Sequence, residues 1–110
     1  MPTYSTHDVV LVRYPFSDVA TAKVRPAVVV SAAHASHDLF VVPLTSRTTD
    51  LLAGELVLGD WAGAGLNVPS AAKRGVYTIH ENLVIKRIGR LTTADGENLS
   101  QSLRQWFGLQ

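Results

Sequence analysis

The hydrophobic positions change period once along the chain. Up to about residue 90 they come in short runs of strand length, each bounded by Gly, Pro or a polar turn. Val9-Val10-Leu11-Val12-Arg13-Tyr14 is the first such run, and Pro15 ends it. Pro26-Ala27-Val28-Val29-Val30-Ser31 and Leu39-Phe40-Val41-Val42-Pro43-Leu44 are continuous apolar runs, the pattern of strands buried on both faces. Shorter strands are expected over Glu55–Leu58, Gly75–Ile79 and Leu83–Ile88. After Gly89-Arg90-Leu91 the period lengthens. Leu99, Leu103, Trp106 and Phe107 fall at i, i+4, i+7 and i+8, one face of a helix that stops at Gly108. Thr92, three residues before Asp95, supplies a capping-box-like start. The aromatic pair on that face is expected in the core, and Gly96 in the first turn weakens the helix by about 1 kcal/mol. Many short strands followed by one helix predict a mostly β (α+β) chain, a small closed or half-closed barrel with the helix against one side.

Composition narrows the class. At 110 residues the chain is read as a single domain spanning 1–110, too small for an enzyme with its own cofactor domain. With 46% hydrophobic and 17% charged residues it is not a disordered segment. The absence of cysteine excludes disulfides, thiolate metal sites and a cysteine nucleophile. The first residues, Met-Pro-Thr-Tyr-Ser-Thr-His-Asp, have neither the basic flank nor the apolar core of a secretory signal, and no run of about 18 apolar residues occurs. A soluble, cytoplasmic protein without a membrane partner is expected. The net charge of +1 conceals an asymmetry: residues 1–60 hold four cations against six carboxylates, and residues 61–110 hold six against three. Gathered on one face, the second set would make a cationic patch for an anionic partner; otherwise these are solvated strand and helix edges.

The chain carries no phosphate loop, dinucleotide fingerprint, nucleophile elbow or His-Glu-x-x-His pair. His34 and His37 lie in a polar stretch with too few further ligands for a metal, and His7 and His80 are solitary. No metal or cofactor is expected. The polar segments Ser17–Val24 and Ser46–Gly54, each leaving a strongly apolar strand, are the places for a site. Arg25 opens one apolar strand, and Thr45-Ser46 close the next. A guanidinium with a nearby hydroxyl suits a phosphodiester, the cation meeting charge on phosphorus oxygens and the hydroxyl orienting one of them. The same residues also suit a flanking charge and a strand-end turn.

Four segments in order, Asp8-Val9-Val10-Leu11-Val12, Tyr14-Pro15-Phe16-Ser17-Asp18, Lys23-Val24-Arg25-Pro26-Ala27-Val28-Val29-Val30-Ser31 and Val42-Pro43-Leu44-Thr45-Ser46, resemble the MazF/PemK family of type II toxin–antitoxin toxins. Val84-Ile85-Lys86-Arg87-Ile88-Gly89-Arg90-Leu91 and the terminal amphipathic helix resemble the same family's C-terminal end. The resemblance implies a small SH3-like β-barrel (CcdB/PemK-like) with a C-terminal helix, acting as a homodimer. It implies a sequence-specific, metal-independent endoribonuclease on single-stranded RNA, held in check by a cognate antitoxin with an acidic, apolar tail. Arg25 matches the family's catalytic arginine, a proton donor and charge stabiliser, and Thr45 its catalytic threonine, which positions the phosphate. The implied chemistry is attack by the substrate's own 2′-hydroxyl. Ser17, Lys23, Ser46, Arg47, Lys73 and Arg74 are the candidate substrate contacts, and Tyr14, Phe16 and Trp61 are candidates for base stacking or for the core.

The resemblance breaks at one place. Where some members carry an acidic residue, this chain reads Pro69-Ser70-Ala71-Ala72-Lys73-Arg74-Gly75-Val76, so no second catalytic acid carries over. Two readings from other classes therefore stand beside the ribonuclease: a non-catalytic dimeric toxin that poisons a protein target, as gyrase poisons do, and an SH3-like binding module.

Overall fold

β1 (Asp8–Tyr14) and β2 (Lys23–Val29) pair antiparallel, with Tyr14 opposite Lys23 and Val9 opposite Val28. The computed structural model describes residues 4–14, 23–32 and 35–109, with only the backbone at Tyr14. β2 starts three residues earlier than the apolar run because it pairs with the full length of β1. β3 (Asp38–Thr45) pairs with β2 on one side, and on its other side with β6 (Tyr77–His80) through its first half and β5 (Ala71–Ala72) at its end. β4 (Leu56–Val57) adds to β5, and β7 (Val84–Arg90) adds to β1 with two register shifts. The order is β4-β5-β3-β2-β1-β7, with β6 beside β3. Among the described residues the result is a seven-stranded antiparallel sheet that does not close, followed by one α-helix. β5 carries no sequence signal: two alanines lack the branched or aromatic pattern of a strand, yet both are fully buried.

The apolar runs are buried on both faces, as their continuity predicts, and alternation divides them into two cores. Val9, Val28, Val42 and Leu44 join Leu58, Leu91 and Leu99 in the first. Val10, Val12, Ala27, Val29, Leu39, Val41, Ile79 and Val84 form the second, on the opposite face.

α1 (Thr93–Phe107) covers the first core. Thr92 caps it, its hydroxyl accepting from the Asp95 amide at 3.3 Å, and Gly108 ends it in the left-handed conformation at φ 70°. Asp95 does not fold back on Thr92 as a capping box requires. Its buried carboxylate instead accepts from the amides of Gly59 (2.8 Å) and Asp60 (3.0 Å), tying the helix start to the loop after β4. The aromatic end departs from expectation. Leu99 is buried and Leu103 partly so, but Trp106 is 53% and Phe107 60% exposed. A helix of fifteen residues is about 22 Å long, and its last turn overhangs the core, with Trp106 lying across the bare backbone of Gly54. Trp61 takes the core role instead.

The cations of the second half do not gather into one patch. Arg90 (3.1 Å) and Arg87 (3.6 Å) converge on the buried carboxylate of Asp8, which also accepts from the Ser5 amide. Lys73 and Arg74 stand at the other side of the sheet after β5, and Arg104 lies in the last helical turn. None of the described helices is long and apolar enough to cross a membrane.

Candidate functional site: a groove at the parting of two strands

The site begins where a proline interrupts a ladder. The β2–β3 ladder runs from Val29–Val41 to Ala27–Pro43 and stops there. Pro26, the next residue of β2 to face β3, has no N–H to give to the Leu44 carbonyl, so the strands part at this end. Continued by two residues, the same register sets Arg25 opposite Thr45. Both line an open groove of about 800 Å³ in the gap, together with Ser46, Lys73 and Tyr77. Segment 65–68, Ser70 and Ile88 close it from the other side.

That far wall is pressed onto β7. A methyl group at Gly65, where φ is +91°, would stand 2.0 Å from the Ile88 carbonyl oxygen, and one at Gly89 2.0 Å from that of Ala64. Only glycine at both positions lets the two backbones touch. The wall is held from behind by Asp95 through Gly59 and Asp60.

Each polar group of the groove is placed by backbone structure. Arg25 projects from β2 opposite the buried Val12 of β1, its guanidinium exposed and within 3.5 Å of the Val24 carbonyl. Among the described residues no carboxylate pairs with it. The Thr45 hydroxyl accepts from the Arg47 amide at 3.2 Å, which fixes its oxygen and leaves its proton to donate. Lys73 follows β5 directly, and its amide donates to the Pro43 carbonyl at 2.9 Å, setting it across β3 from the break in the ladder. A guanidinium, an ammonium and an oriented hydroxyl in one open groove are groups that can bind a phosphodiester.

The remaining sequence candidates lie elsewhere. Arg47 is engaged within its own loop: it donates to the carbonyls of Thr49 (3.0 Å) and Asp50 (2.6 Å) and meets Glu55 at 3.1 Å. The Leu52 amide foremost, with Arg47 and Arg74, holds the Glu55 carboxyl below its ordinary range. Arg74 borders a second cavity, of about 380 Å³, with Leu103, Trp106 and Phe107. Lys23 is exposed at the head of β2, outside the groove lining. Ser17 and Phe16, with most of the Ser17–Val24 segment, lie outside the described residues, as does His34. His37 bonds Glu81 at 3.0 Å, with its ring 6.3 Å from that of His80, at the opposite end of β3 from the groove. Sequence reasoning missed Tyr77. Its position in an alternating strand reads as core, and only the pairing of β6 with β3 brings it to the groove.

A small antiparallel sheet with one C-terminal helix, and a cation-lined groove at the end of its central strands, defines the class of protein. The family described as PemK-like, MazF-like toxin of type II toxin-antitoxin system matches residues 6–107, and the chain belongs to that family. A comparison with curated protein sequences finds no match. Among solved structures, MazE-MazF (Form-III) from Deinococcus radiodurans is similar with a TM-score of 0.80 at 15% identity, over 99% of this chain and 100% of that one. The Mycobacterium tuberculosis toxin MazF-mt6 gives 0.73 at 21% identity, over 94% and 98%. An endoribonuclease in complex with its cognate antitoxin, from a mycobacterial species, gives 0.74 at 15% identity, over 100% and 98%. At these identities the likeness is one of fold.

Proposed function

We propose that this toxin is a metal-independent endoribonuclease that cleaves single-stranded RNA at a short recurrent sequence, in the cytoplasm, as a homodimer restrained by a cognate antitoxin. The observation that carries the reading is the convergence of Arg25 and Thr45 on one open groove from two different strands. Family membership and the names of the similar structures, an endoribonuclease and complexes with an antitoxin, point the same way.

The chemistry is an internal transfer. The 2′-oxygen of the substrate forms a bond to the adjacent phosphorus, the bond from phosphorus to the 5′-oxygen breaks, and a 2′,3′-cyclic phosphate and a 5′-hydroxyl result. The 2′-hydroxyl proton leaves to solvent and the 5′-oxygen takes one up. Negative charge grows on the non-bridging oxygens, and the Arg25 cation stabilises it. A guanidinium is a poor proton donor, so its charge is the effective contribution. Thr45 donates its proton to one of those oxygens, and Lys73 neutralises a neighbouring phosphate.

The test is incubation of the purified protein with a long defined RNA in EDTA, with the new ends sequenced. Fragments bearing 2′,3′-cyclic phosphate at one recurrent sequence are expected. Arg25→Ala should slow cleavage about a hundred- to a thousandfold, as loss of a principal charge-stabilising donor does. Intact RNA from folded protein that still arrests growth would replace this reading with a toxin that acts by binding.

A further inference from the structure

Three strands put Tyr77 in a defined relation to the reacting pair. Val41 on β3 is opposite Tyr77 on β6, and Thr45 lies four residues further along the same strand. Positions 41, 43 and 45 share one face of the sheet by alternation, and their cross-strand partners share it with them. Tyr77 is therefore on the face that carries Thr45 and Arg25, at the rim of the second core, two residues from the buried Ile79. Lys73, joined to the Pro43 carbonyl, comes between Thr45 and Tyr77 along the edge of β3. All four line the groove. Tyr77 is 44% exposed, although it belongs to a strand whose next inward residue, Ile79, is buried.

We propose that Tyr77 is a base-stacking platform that sets which position of the RNA is read relative to the cleaved bond. This rests on the ribonuclease reading of the groove and adds a specificity-determining residue to it. Four residues of strand separate Thr45 from the position opposite Tyr77, about 13 Å, which is the reach of about two extended nucleotides. A phosphodiester held by Arg25 and Thr45 thus has its next phosphate near Lys73 and the base beyond it over the Tyr77 ring. The order of groups, cation and hydroxyl, then cation, then aromatic face, matches the alternation of phosphate and base in a single strand. A tyrosine on a paired strand loses little freedom on binding, so its stacking energy is realised almost in full.

The test uses the full-length protein and a short single-stranded RNA containing its mapped cleavage sequence. The cleaved residue is 2′-deoxy to prevent reaction, and 2-aminopurine is moved singly through three positions on either side. Quenching by the wild-type protein is expected to peak about two nucleotides from the cleaved bond. It should be lost in Tyr77→Ala and retained in Tyr77→Phe, with both variants checked for folding by circular dichroism. On the unmodified RNA, Tyr77→Ala should raise KM about 5- to 150-fold, the range of one lost base stack, with kcat changed far less. Unchanged KM and quenching in Tyr77→Ala would overturn the proposal, as would equal losses in Tyr77→Phe and Tyr77→Ala. If the wild type cleaves no RNA, the same quenching measured on an adenine-rich RNA with scattered 2-aminopurine separates the two ideas. Tyr77-dependent quenching without cleavage sinks the ribonuclease reading and keeps only the stacking role of Tyr77, and no binding sinks both.

Discussion

Gly96 shows how a residue that reads as a local weakness can be a requirement of packing. In the first turn of a helix glycine is unfavourable by about 1 kcal/mol relative to alanine. Here the helix start lies so close to the His7 ring that a methyl group on Gly96 would stand 2.6 Å from Nδ1 and 2.8 Å from Cε1. Gly96→Ala is therefore expected to destabilise the protein by about 1–2 kcal/mol despite the better propensity, because overpacking outweighs it. Thermal unfolding measures the sign directly. His7 is held on its other side as well: its Nε2 lies 3.1 Å from the Ser100 hydroxyl, its amide donates to Val29 and its carbonyl accepts from Leu91. Burial foremost, and then the charge of Arg90, lowers its pKa below the ordinary value of 6.5. The folded state thus keeps the ring neutral at a pH where the unfolded chain takes up a proton. Stability from this site is complete above about pH 6.5 and declines as pH falls toward the lowered value. The slope of melting temperature between pH 7.5 and 5.5 should be shallower in His7→Gln than in the wild type.

At the scale of elements, α1 does more than cover a core. Its third residue after the cap, Asp95, is 6% exposed and accepts from two amides of the loop that leads into the groove wall. Asp95→Asn offers one acceptor oxygen where two amides must be met and turns an N–H toward the second. A loss of about 1–3 kcal/mol in urea unfolding is expected. In the ribonuclease assay KM should rise as the wall at 65–68 loosens, and an unchanged KM would show that Gly65 and Gly89 hold the wall unaided. The opposite end of the same helix carries exposed aromatics, with Trp106 over Gly54 and Phe107 60% exposed. Helical periodicity identifies the face of a helix. It does not say how far the core beneath that face extends, and Trp106 and Phe107 lie beyond its end.

At the scale of the molecule, charge is distributed by pairing rather than by sequence half. Arg87 and Arg90 are spent on Asp8 across the β1–β7 edge, and Arg47 and Arg74 act on Glu55. Arg25 and Lys73 are left to the groove. RNA affinity should accordingly fall with salt, but modestly. Each phosphate contact adds about 0.7 to the slope of log affinity against log salt for a single strand. Lys73→Ala should reduce that slope by about 0.7, whereas Arg87→Ala should leave it unchanged and lower the melting temperature instead. Fluorescence titrations at several salt concentrations distinguish the two. A fall in slope for Arg87→Ala with none for Lys73→Ala would place the RNA across the β7 edge rather than in the groove.

The mostly β class, the order of the long strands, the terminal helix with its Thr92 start and Gly108 stop, and the family were all legible along the chain. Each depends on contiguous residues: apolar runs, turn formers, a cap, a short motif. Arg25 and Thr45 were legible as candidates for the same reason, standing at the ends of two such runs. What brings them together is the β2–β3 register, a relation between residues 20 apart in the chain that no local pattern records. β5 escaped notice because two alanines are buried by their neighbours rather than by any preference of their own. Tyr77 became a groove residue, and Arg47 a loop brace, only when β6 and Glu55 took their places. Local sequence settles what the backbone does over a few residues. Which side chains share a face, a wall or a charge is set by long-range pairing, and the site of this toxin is made of those relations.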